Sequence, residues 1–171
     1  PRIVTDLGGF DRFAWVTTAY LVASTAVIPV VGTLSDMYGR KIFFIGGIAT
    51  FVVGSVLAGM AQDMNQLIAF RALQGVGGGV VMSSAFITVG DLFPPAERGK
   101  YMGFLAGIFA LCSIIGPVLG GFLTDVLSWR WVFYLNLPFG VLATTAVGSA
   151  LRTRVAREVH AVDYSGALLL T

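Results

Sequence analysis

Five stretches of about twenty residues that are almost free of charge limit how this chain can fold. They cover residues 13–35, 42–62, 64–90, 101–124 and 131–151, and Arg71 is the one charged residue inside them. A helix needs about 20 apolar residues to cross a hydrocarbon layer about 30 Å thick, in which backbone amides must bond within the segment. We therefore predict an all-α bundle of five membrane-spanning helices. A β-barrel does not fit, because its strands have about ten residues and alternate in polarity.

The composition agrees with a bundle in a lipid bilayer and argues against several functions. Only 12% of the residues are charged, against roughly 25% in soluble domains. The net charge is +2 and the cations lie in short connectors, so we predict no nucleic-acid partner. Cys112 and His160 are the only cysteine and histidine. Because the spans hold no cluster of His, Cys or carboxylates, the sequence predicts neither a metal site nor an enzyme, and it implies no cofactor.

The cations are distributed unevenly over the two sides of the predicted bundle. One side holds Arg40, Lys41, Arg98, Lys100, Arg152, Arg154 and Arg157, and the other holds Arg2, Arg12 and Arg130. Cytoplasmic connectors are richer in Lys and Arg, so the first side is predicted to be cytoplasmic and the N-terminus to lie outside the cell membrane. Near the outer ends lie Trp15, Trp129, Trp131 and Tyr134. We expect these aromatic residues to anchor the helices at the interface.

These boundaries divide the chain into three segments. Residues 1–151 are predicted to form the bundle, 152–163 a basic cytoplasmic connector, and 164–171 the start of a further, truncated membrane helix. The chain begins at Pro1 without a signal peptide and ends inside an apolar run. We therefore expect it to be an internal fragment of a longer protein.

The connector GTLSDMYGRK, which begins at Gly32, carries more charge than anchoring in lipid requires. A plain turn explains Gly39 as a left-handed cap, and Arg40 and Lys41 as anchors at the head groups. It leaves Asp36 unexplained, because a carboxylate at a helix C-terminus meets the negative end of the helix dipole. Asp36 therefore needs a cation or the N-terminus of another helix as its partner, and Gly32 would let that neighbour come close.

The pattern G-x-L-x-D-x-x-G-R-K resembles the loop between the second and third helices of major facilitator transporters. The resemblance implies that the chain is part of the N-terminal half of that fold, with helices two to six and the start of the seventh. Its motif residues are Gly32, Asp36, Gly39, Arg40 and Lys41. In the family, the Asp and Arg hold the two halves of the carrier together in one state, which implies this role for Asp36 and Arg40. Glu97 and Arg98, in the next loop on that side, are expected to join the network, with a solvated turn as the alternative.

Arg71 lies in the third predicted span, about 10 Å from its outer end at 1.5 Å per residue. A charge near the centre of a membrane helix costs on the order of 2.5–3.5 kcal/mol, so we expect it to face a polar cavity or a counter-ion. One stripe of this helix carries Arg71, Gln74, Gly75, Gly78 and Met82. Gly75 and Gly79 also form a small-xxx-small packing pair. The alternative is that Arg71 extends to the outer interface.

The segment RALQGVGGG, which contains Arg71, resembles a motif of the fourth facilitator helix. The resemblance implies that Arg71 takes part in proton coupling, with a carboxylate of the first helix as its partner. That first helix precedes the residues of this chain.

The fourth predicted span combines glycines with a proline. Gly103 with Gly107, and Gly116 with Gly120, are each four residues apart, and Pro117 removes one backbone hydrogen bond. A bent packing helix is one interpretation. The sequence G-P-x-x-G-G also resembles the antiporter signature of the fifth facilitator helix, which implies efflux. The residues of this signature are Gly107, Gly116, Pro117, Gly120 and Gly121.

Two further patterns resemble one subfamily, the fourteen-helix drug:proton antiporters. SWRWVFYLNLPFG resembles the opening of their sixth helix, and AVDYSGALLLT the entry to their extra seventh helix. Together these resemblances imply proton-coupled efflux of drugs or other amphipathic small molecules by alternating access. The implied partners are the bilayer, the substrate, protons, the first helix and the C-terminal half of the same protein. Candidate residues of the substrate cavity are Tyr20, Gln74, Met82 and Asn136. A metabolite importer and a non-transporting membrane scaffold remain as alternatives.

Overall fold

The computed structural model describes residues 2–150, and they form helices joined by short connectors, with no strand in that range. The helices are α1 (Arg2–Leu7), α2 (Phe13–Tyr38), α3 (Arg40–Met60), α4 (Met64–Leu92), α5 (Pro95–Val126), α6 (Arg130–Tyr134) and α7 (Asn136–Ala150), with a 3-10 turn at Phe10–Arg12. The predicted all-α helix bundle is confirmed. The connector predicted at 152–163 and the helix start predicted at 164–171 lie outside the described residues.

Five helical segments within the described range are long and apolar enough to cross a membrane. They are Phe10–Tyr38, Arg40–Met60, Met64–Leu92, Pro95–Val126 and Arg130–Ala150. Several extend beyond the charge-free runs, most clearly α5, which begins at Pro95 rather than near Tyr101. Proline is well suited to the first turn of a helix because its missing N–H has no acceptor there. The charged first turn of α5 therefore belongs to the helix rather than to the connector.

Helix α4 is the centre of the bundle, because it packs along α2 on one side and along α3 on the other. Helix α3 also contacts α6 and α7, whereas α5 has few neighbours and no buried residue. The bundle described here therefore has a packed part, made of α2, α3, α4, α6 and α7, and one peripheral helix.

Glycines bring the backbone of α4 into direct contact with its neighbours. A Cβ atom at Gly75 would overlap the carbonyl oxygen of Tyr20, and one at Gly79 would overlap that of Ser24. On the other side of α4, a Cβ at Gly77 would overlap the backbone nitrogen of Phe51. The predicted packing role of Gly75 and Gly79 is confirmed. Close approach of α4 to both neighbours requires glycine at these points.

The glycines of α5 have a different environment. A Cβ atom added at Gly103, Gly107, Gly116 or Gly120 would meet no neighbouring atom of the described residues within 4 Å, apart from the backbone of its own helix turn. These glycines therefore contact none of the described helices, since α5 lies at the edge of this part of the bundle. The helix continues through Pro117 without interruption.

The end of the bundle opposite the GTLSDMYGRK connector contains a buried cluster around Trp129. This residue was expected to anchor at the interface, but it is only 2% exposed and its Nε1 donates a hydrogen bond of 2.9 Å to Asp6. Arg130 stacks over the Trp129 ring at 4.5 Å and donates to the carbonyl oxygens of Gly59 and Ala61, each at 2.7 Å. The prediction was wrong for Trp129 because its ring packs in the buried apolar cluster with Leu67 and Phe133, beneath Arg130, which caps the free carbonyls at the end of α3. Trp131 is 51% exposed.

We predict that Gly79→Ala lowers the thermal stability of the protein, because the added methyl group would overlap the carbonyl of Ser24. The expected loss is about 1–3 kcal/mol, the usual cost of overpacking. The matched control is Gly90→Ala on the same helix, where a Cβ meets nothing within 4 Å. Alanine favours a helix over glycine by about 1 kcal/mol, so the control is expected to keep or raise the stability. Thermal unfolding of the purified protein in detergent measures both, and equal effects would contradict the packing assignment.

Candidate functional site

Arg40 joins the ends of α2 and α4 on the side of the bundle that holds the GTLSDMYGRK connector. Its Nη2 pairs with Asp36 at 3.0 Å, and its Nη1 pairs with Asp91 and also reaches the carbonyl oxygen of Ile87 at 3.4 Å. We name Asp36, Arg40 and Asp91 the Arg40 cluster. Its two carboxylates lie at the C-terminal ends of α2 and α4, where the helix dipole is unfavourable to them, and Arg40 supplies the positive charge that offsets this.

Asp91 was not among the residues predicted for this site. The signal for it was present in the sequence, because Asp91 ends a charge-free run on the same side as Asp36. The argument that Asp36 needs a cation applies equally to any carboxylate at a helix C-terminus. Only the packing of α4 beside α2 and α3 shows that both carboxylates share one arginine.

Other residues predicted for this network lie apart from it. Arg98 donates to the carbonyl oxygen of Phe93 at 3.0 Å, and Glu97 is exposed in the first turn of α5, where its charge suits the helix dipole. Neither forms an ion pair with the Arg40 cluster. Lys41 instead donates to the carbonyl oxygen of Gly148 at 2.6 Å, near the end of α7. It thereby links the start of α3 to the end of α7, the last helix that the structure describes.

The two glycines of the connector have distinct environments. Gly39 separates α2 from α3 with φ 98° and ψ 129°. Its positive φ favours glycine, but its ψ is extended, so it is not the left-handed cap that was expected. A Cβ atom added at Gly32 would meet no neighbouring atom of the described residues within 4 Å, apart from the backbone of its own helix turn. The close neighbour expected there is therefore not part of residues 2–150.

Arg71 is held by neutral groups. Its Nη1 donates to Oε1 of Gln74 at 2.7 Å, its Nε donates to the carbonyl oxygen of Val16 at 3.3 Å, and its guanidinium lies 4.4 Å from the Tyr20 ring centroid. The ion pairs in the described part of the chain involve Arg12 and Arg40, and none involves Arg71. The predicted polar environment is present, but the predicted counter-ion is not among residues 2–150.

Ser55 of α3 connects Gln74, which is bonded to Arg71, to Phe133 near the end of α6. The hydroxyl of Ser55 donates to the carbonyl oxygen of Phe133 at 2.8 Å and accepts from Nε2 of Gln74 at 3.1 Å and Nδ2 of Asn136 at 2.8 Å. A hydroxyl has one proton and two lone pairs, so all its hydrogen-bonding capacity is used. Ser55 was not predicted as a site residue.

A cavity of about 610 Å³ opens beside this polar group. Its wall is mainly apolar, and examples from five helices are Leu21, Ile48, Val81, Phe109 and Phe139. Three of the four residues named from the sequence for a substrate cavity line it, namely Tyr20, Met82 and Asn136. Gln74 does not line it, since its side chain is 2% exposed and both ends of its amide are bonded to Arg71 and Ser55. The volume is within the range of small-molecule sites, and an apolar wall with few polar groups is typical of them.

The remaining site predictions concern metals and α5. Within the described range, no group of three or more His, Cys, Asp or Glu residues could hold a metal ion. Phe109 of α5 lines the cavity. The signature residues of the same helix do not line it: Gly107, Gly116, Pro117, Gly120 and Gly121.

Comparison with known proteins gives consistent results. The sequence profile of the Major Facilitator Superfamily matches residues 1–166. The chain is 49% identical over 169 residues to "Multidrug resistance protein 3" of Bacillus subtilis, covering 99% of the chain and 33% of that protein. It is 47% identical over 154 residues to "Multidrug transporter protein MdtP" of the same organism, covering 90% and 28%. It is 35% identical over 176 residues to "Efflux pump FUS6" of Gibberella moniliformis, covering 99% and 31%. The chain thus spans about a third of these relatives or less.

We predict a measurable coupling energy between Arg40 and each of its two carboxylates. In double-mutant cycles that combine Arg40→Gln with Asp36→Asn or with Asp91→Asn, each pair is expected to contribute about 0.2–1 kcal/mol, because all three side chains are more than a third exposed. Chemical or thermal unfolding in detergent at low salt measures this energy, which should decrease at high salt. A cycle of Arg40→Gln with Glu97→Gln is the control and should give no coupling. Additive effects at Asp91 would contradict the cluster.

Proposed function

Because the chain belongs to the major facilitator superfamily, and is therefore part of a multi-pass membrane protein, we propose that the whole protein exports amphipathic small molecules in exchange for protons. The names of its relatives, a multidrug resistance protein, a multidrug transporter and an efflux pump, support export. The proposed cycle is alternating access, in which the two halves of the carrier rock around a central site. The first helix and the C-terminal half are the proposed partners within the same protein.

The observation that carries proton coupling is the environment of Arg71. Its guanidinium lies among a carbonyl, an amide and aromatic rings, with no carboxylate paired to it in residues 2–150. A charge at this depth in a membrane is energetically costly. Such residues occur where they pair with another charged group, line an ion pathway or take part in proton transfer. We propose that a carboxylate of the first helix alternates between binding a proton and pairing with Arg71, so that protonation state and conformation are linked.

The cavity supports an amphipathic substrate. Its wall offers large apolar and aromatic surfaces, and its polar groups include Tyr20, Ser24 and Asn136. Such a wall binds a substrate by apolar contact and requires few directional hydrogen bonds from it, which suits substrates of varied shape. We propose that Tyr20, Met82 and Asn136 contact the substrate from this half of the carrier.

The Arg40 cluster supports a conformational latch at the cytoplasmic side. Its two carboxylates and one cation leave a net negative charge at the ends of α2 and α4, which a helix N-terminus of the other half could neutralise. We propose that this contact forms in the outward-open state and breaks as the carrier turns inward. We also propose that the protein lies in the plasma membrane, with residues 36–41, 91–100 and 152–163 in the cytoplasm and the N-terminus of this chain outside.

The glycines and the proline of α5 are proposed to serve export. Gly107, Gly116, Pro117, Gly120 and Gly121 remain uncovered by the helices described here. Pro117 leaves one backbone carbonyl of the helix without its usual donor, a local weakness at which α5 can bend. We propose that α5 bends at this point during the cycle.

We predict that Arg71→Ala strongly slows proton-driven export while the protein still folds and binds substrate. The test uses proteoliposomes with the whole protein, ethidium as a fluorescent amphipathic probe, and an imposed pH gradient. The expected loss of the driven rate is about tenfold or more, equivalent to at least about 1.4 kcal/mol of coupling. Arg12→Gln is the matched control, because Arg12 is an exposed arginine at the outer end. Undiminished pH-driven export by the Arg71 variant would refute the proposed function of Arg71.

A further inference from the structure

We propose that Ser55 is a positioning residue that links the substrate cavity to Arg71. Asn136, Ser55, Gln74 and Arg71 form one chain of hydrogen bonds that begins at the cavity wall and ends at the guanidinium. Through this relay, a substrate that engages Asn136 changes how Arg71 is held. The inference rests on the proposed function, and it adds a residue and a route by which substrate and proton sites communicate.

The first step of the argument is that Ser55 bonds across helices and not within its own. Other hydroxyls in these helices return to a carbonyl one turn earlier, as Thr18 does to Ala14 and Thr50 to Gly46. That bond satisfies a hydroxyl in an apolar environment at little cost. Ser55 is fully buried, yet it donates to Phe133 of α6. Its hydrogen bonds therefore join α3 to α4, α6 and α7.

The second step is that Ser55 determines which end of the Gln74 amide faces Arg71. Because the proton of Ser55 is donated to Phe133, its oxygen has only lone pairs left, and Gln74 must present its NH₂ group to it. The carbonyl oxygen of Gln74 is then directed to Arg71, which needs an acceptor. The helices are held close here, since a Cβ at Gly54 would lie 2.6 Å from the backbone nitrogen of Gln74.

The third step is that Ser55 and Arg71 lie at similar depths. Ser55 is five residues before the end of α3 at Met60, and Arg71 is seven residues after the start of α4 at Met64, or roughly 8 and 11 Å along the axis. Asn136 follows α6 after a single residue, Leu135, whose backbone keeps α-helical dihedral angles. It therefore belongs to the continuous span Arg130–Ala150, and from there it bonds to Ser55 and lines the cavity.

The fourth step is the consequence of occupying the cavity. A substrate amine, such as those of ethidium, that donates to the carbonyl oxygen of Asn136 and turns its amide away from Ser55 leaves one lone pair of Ser55 without a donor, which is unfavourable in apolar surroundings. Ser55 and Gln74 then reorient, and Arg71 loses its acceptor. Of the groups that face Arg71, Val16 and Tyr20 come from α2, Gln74 from α4 and Phe133 from α6, and Tyr20 is the titratable one. Because Val16 already accepts from Nε and the other two groups are aromatic rings, Nη1 of Arg71 is then the group left without an acceptor.

The first experiment compares the whole protein with its Ser55→Ala and Ser84→Ala variants in proteoliposomes, with ethidium as the probe. Ser84 is a matched control because it is a buried serine whose hydroxyl has no hydrogen-bond partner among residues 2–150. We expect Ser55→Ala to lower the pH-driven rate about 2- to 30-fold, the range of residues that modulate coupling. Ethidium exchange without a pH gradient, and the KM for ethidium, should remain near the unaltered values. The profile of rate against pH should change for Ser55→Ala only, and Ser55→Thr, which retains the hydroxyl, should restore it.

Two results would overturn the relay. One is an unchanged pH profile and driven rate in Ser55→Ala, and the other is an equal loss of driven transport, exchange and thermal stability, which indicates a structural role alone. If the unaltered protein itself fails to export ethidium with a pH gradient, the proposed function fails, and the relay is decided by a second measurement.

The second measurement needs no transport. Phenylglyoxal modifies arginine, and mass spectrometry of the peptide that contains Arg71 reports its modification in detergent. We expect Arg71 in Ser55→Ala to be modified several-fold faster than in the unaltered protein and in Ser84→Ala. Added ethidium should accelerate modification in the unaltered protein and have no effect in Ser55→Ala. Equal rates in all variants would show that Ser55 does not position Arg71.

Discussion

Backbone contact between α4 and its two neighbours is the interaction on which the rest of this structure depends. Gly75 and Gly79 bring α2 against α4, and Gly77 brings α3 against it from the other side. In lipid there is little hydrophobic drive to bring helices together, so close packing of small residues must supply the association. This packing brings Arg71 beside Tyr20 and Gln74 beside Ser55. Without it, the polar groups of four helices would not meet.

The Arg40 cluster and Arg71 lie in different electrostatic environments. The Arg40 cluster is partly exposed, and its charges pair directly, at a modest energy that water and salt reduce. Arg71 is surrounded by neutral acceptors and aromatic rings, which satisfy its hydrogen bonds but do not cancel its charge. A cluster of the first kind can open and close at low cost, which suits a latch. A site of the second kind responds strongly to any carboxylate brought near it, which suits proton coupling.

Much of the fold and part of the site followed from the sequence. The charge-free runs predicted the helices. The one arginine inside these runs and the glycine spacing predicted the face of α4 that packs closely and carries polar groups. Asp91 and Ser55 were missed because each acts through a partner far away in the sequence: Arg40 for the first, and Phe133 with Asn136 for the second. A lone serine in an apolar run gives no pattern, since its hydroxyl can equally bond to its own helix.

The sequence by itself determined that the chain forms membrane-spanning helices, which residues form the apolar part of each, and which connectors carry most of its cations. These properties depend on local hydrophobicity and charge, which each residue contributes regardless of its neighbours in space. Only the tertiary structure decided that Gln74 turns away from the cavity, that Trp129 is buried under Arg130, and that two carboxylates share Arg40. The physical reason is that hydrogen bonds and ion pairs are directional and short-ranged, so their partners are chosen by how the helices cross and not by the order of residues.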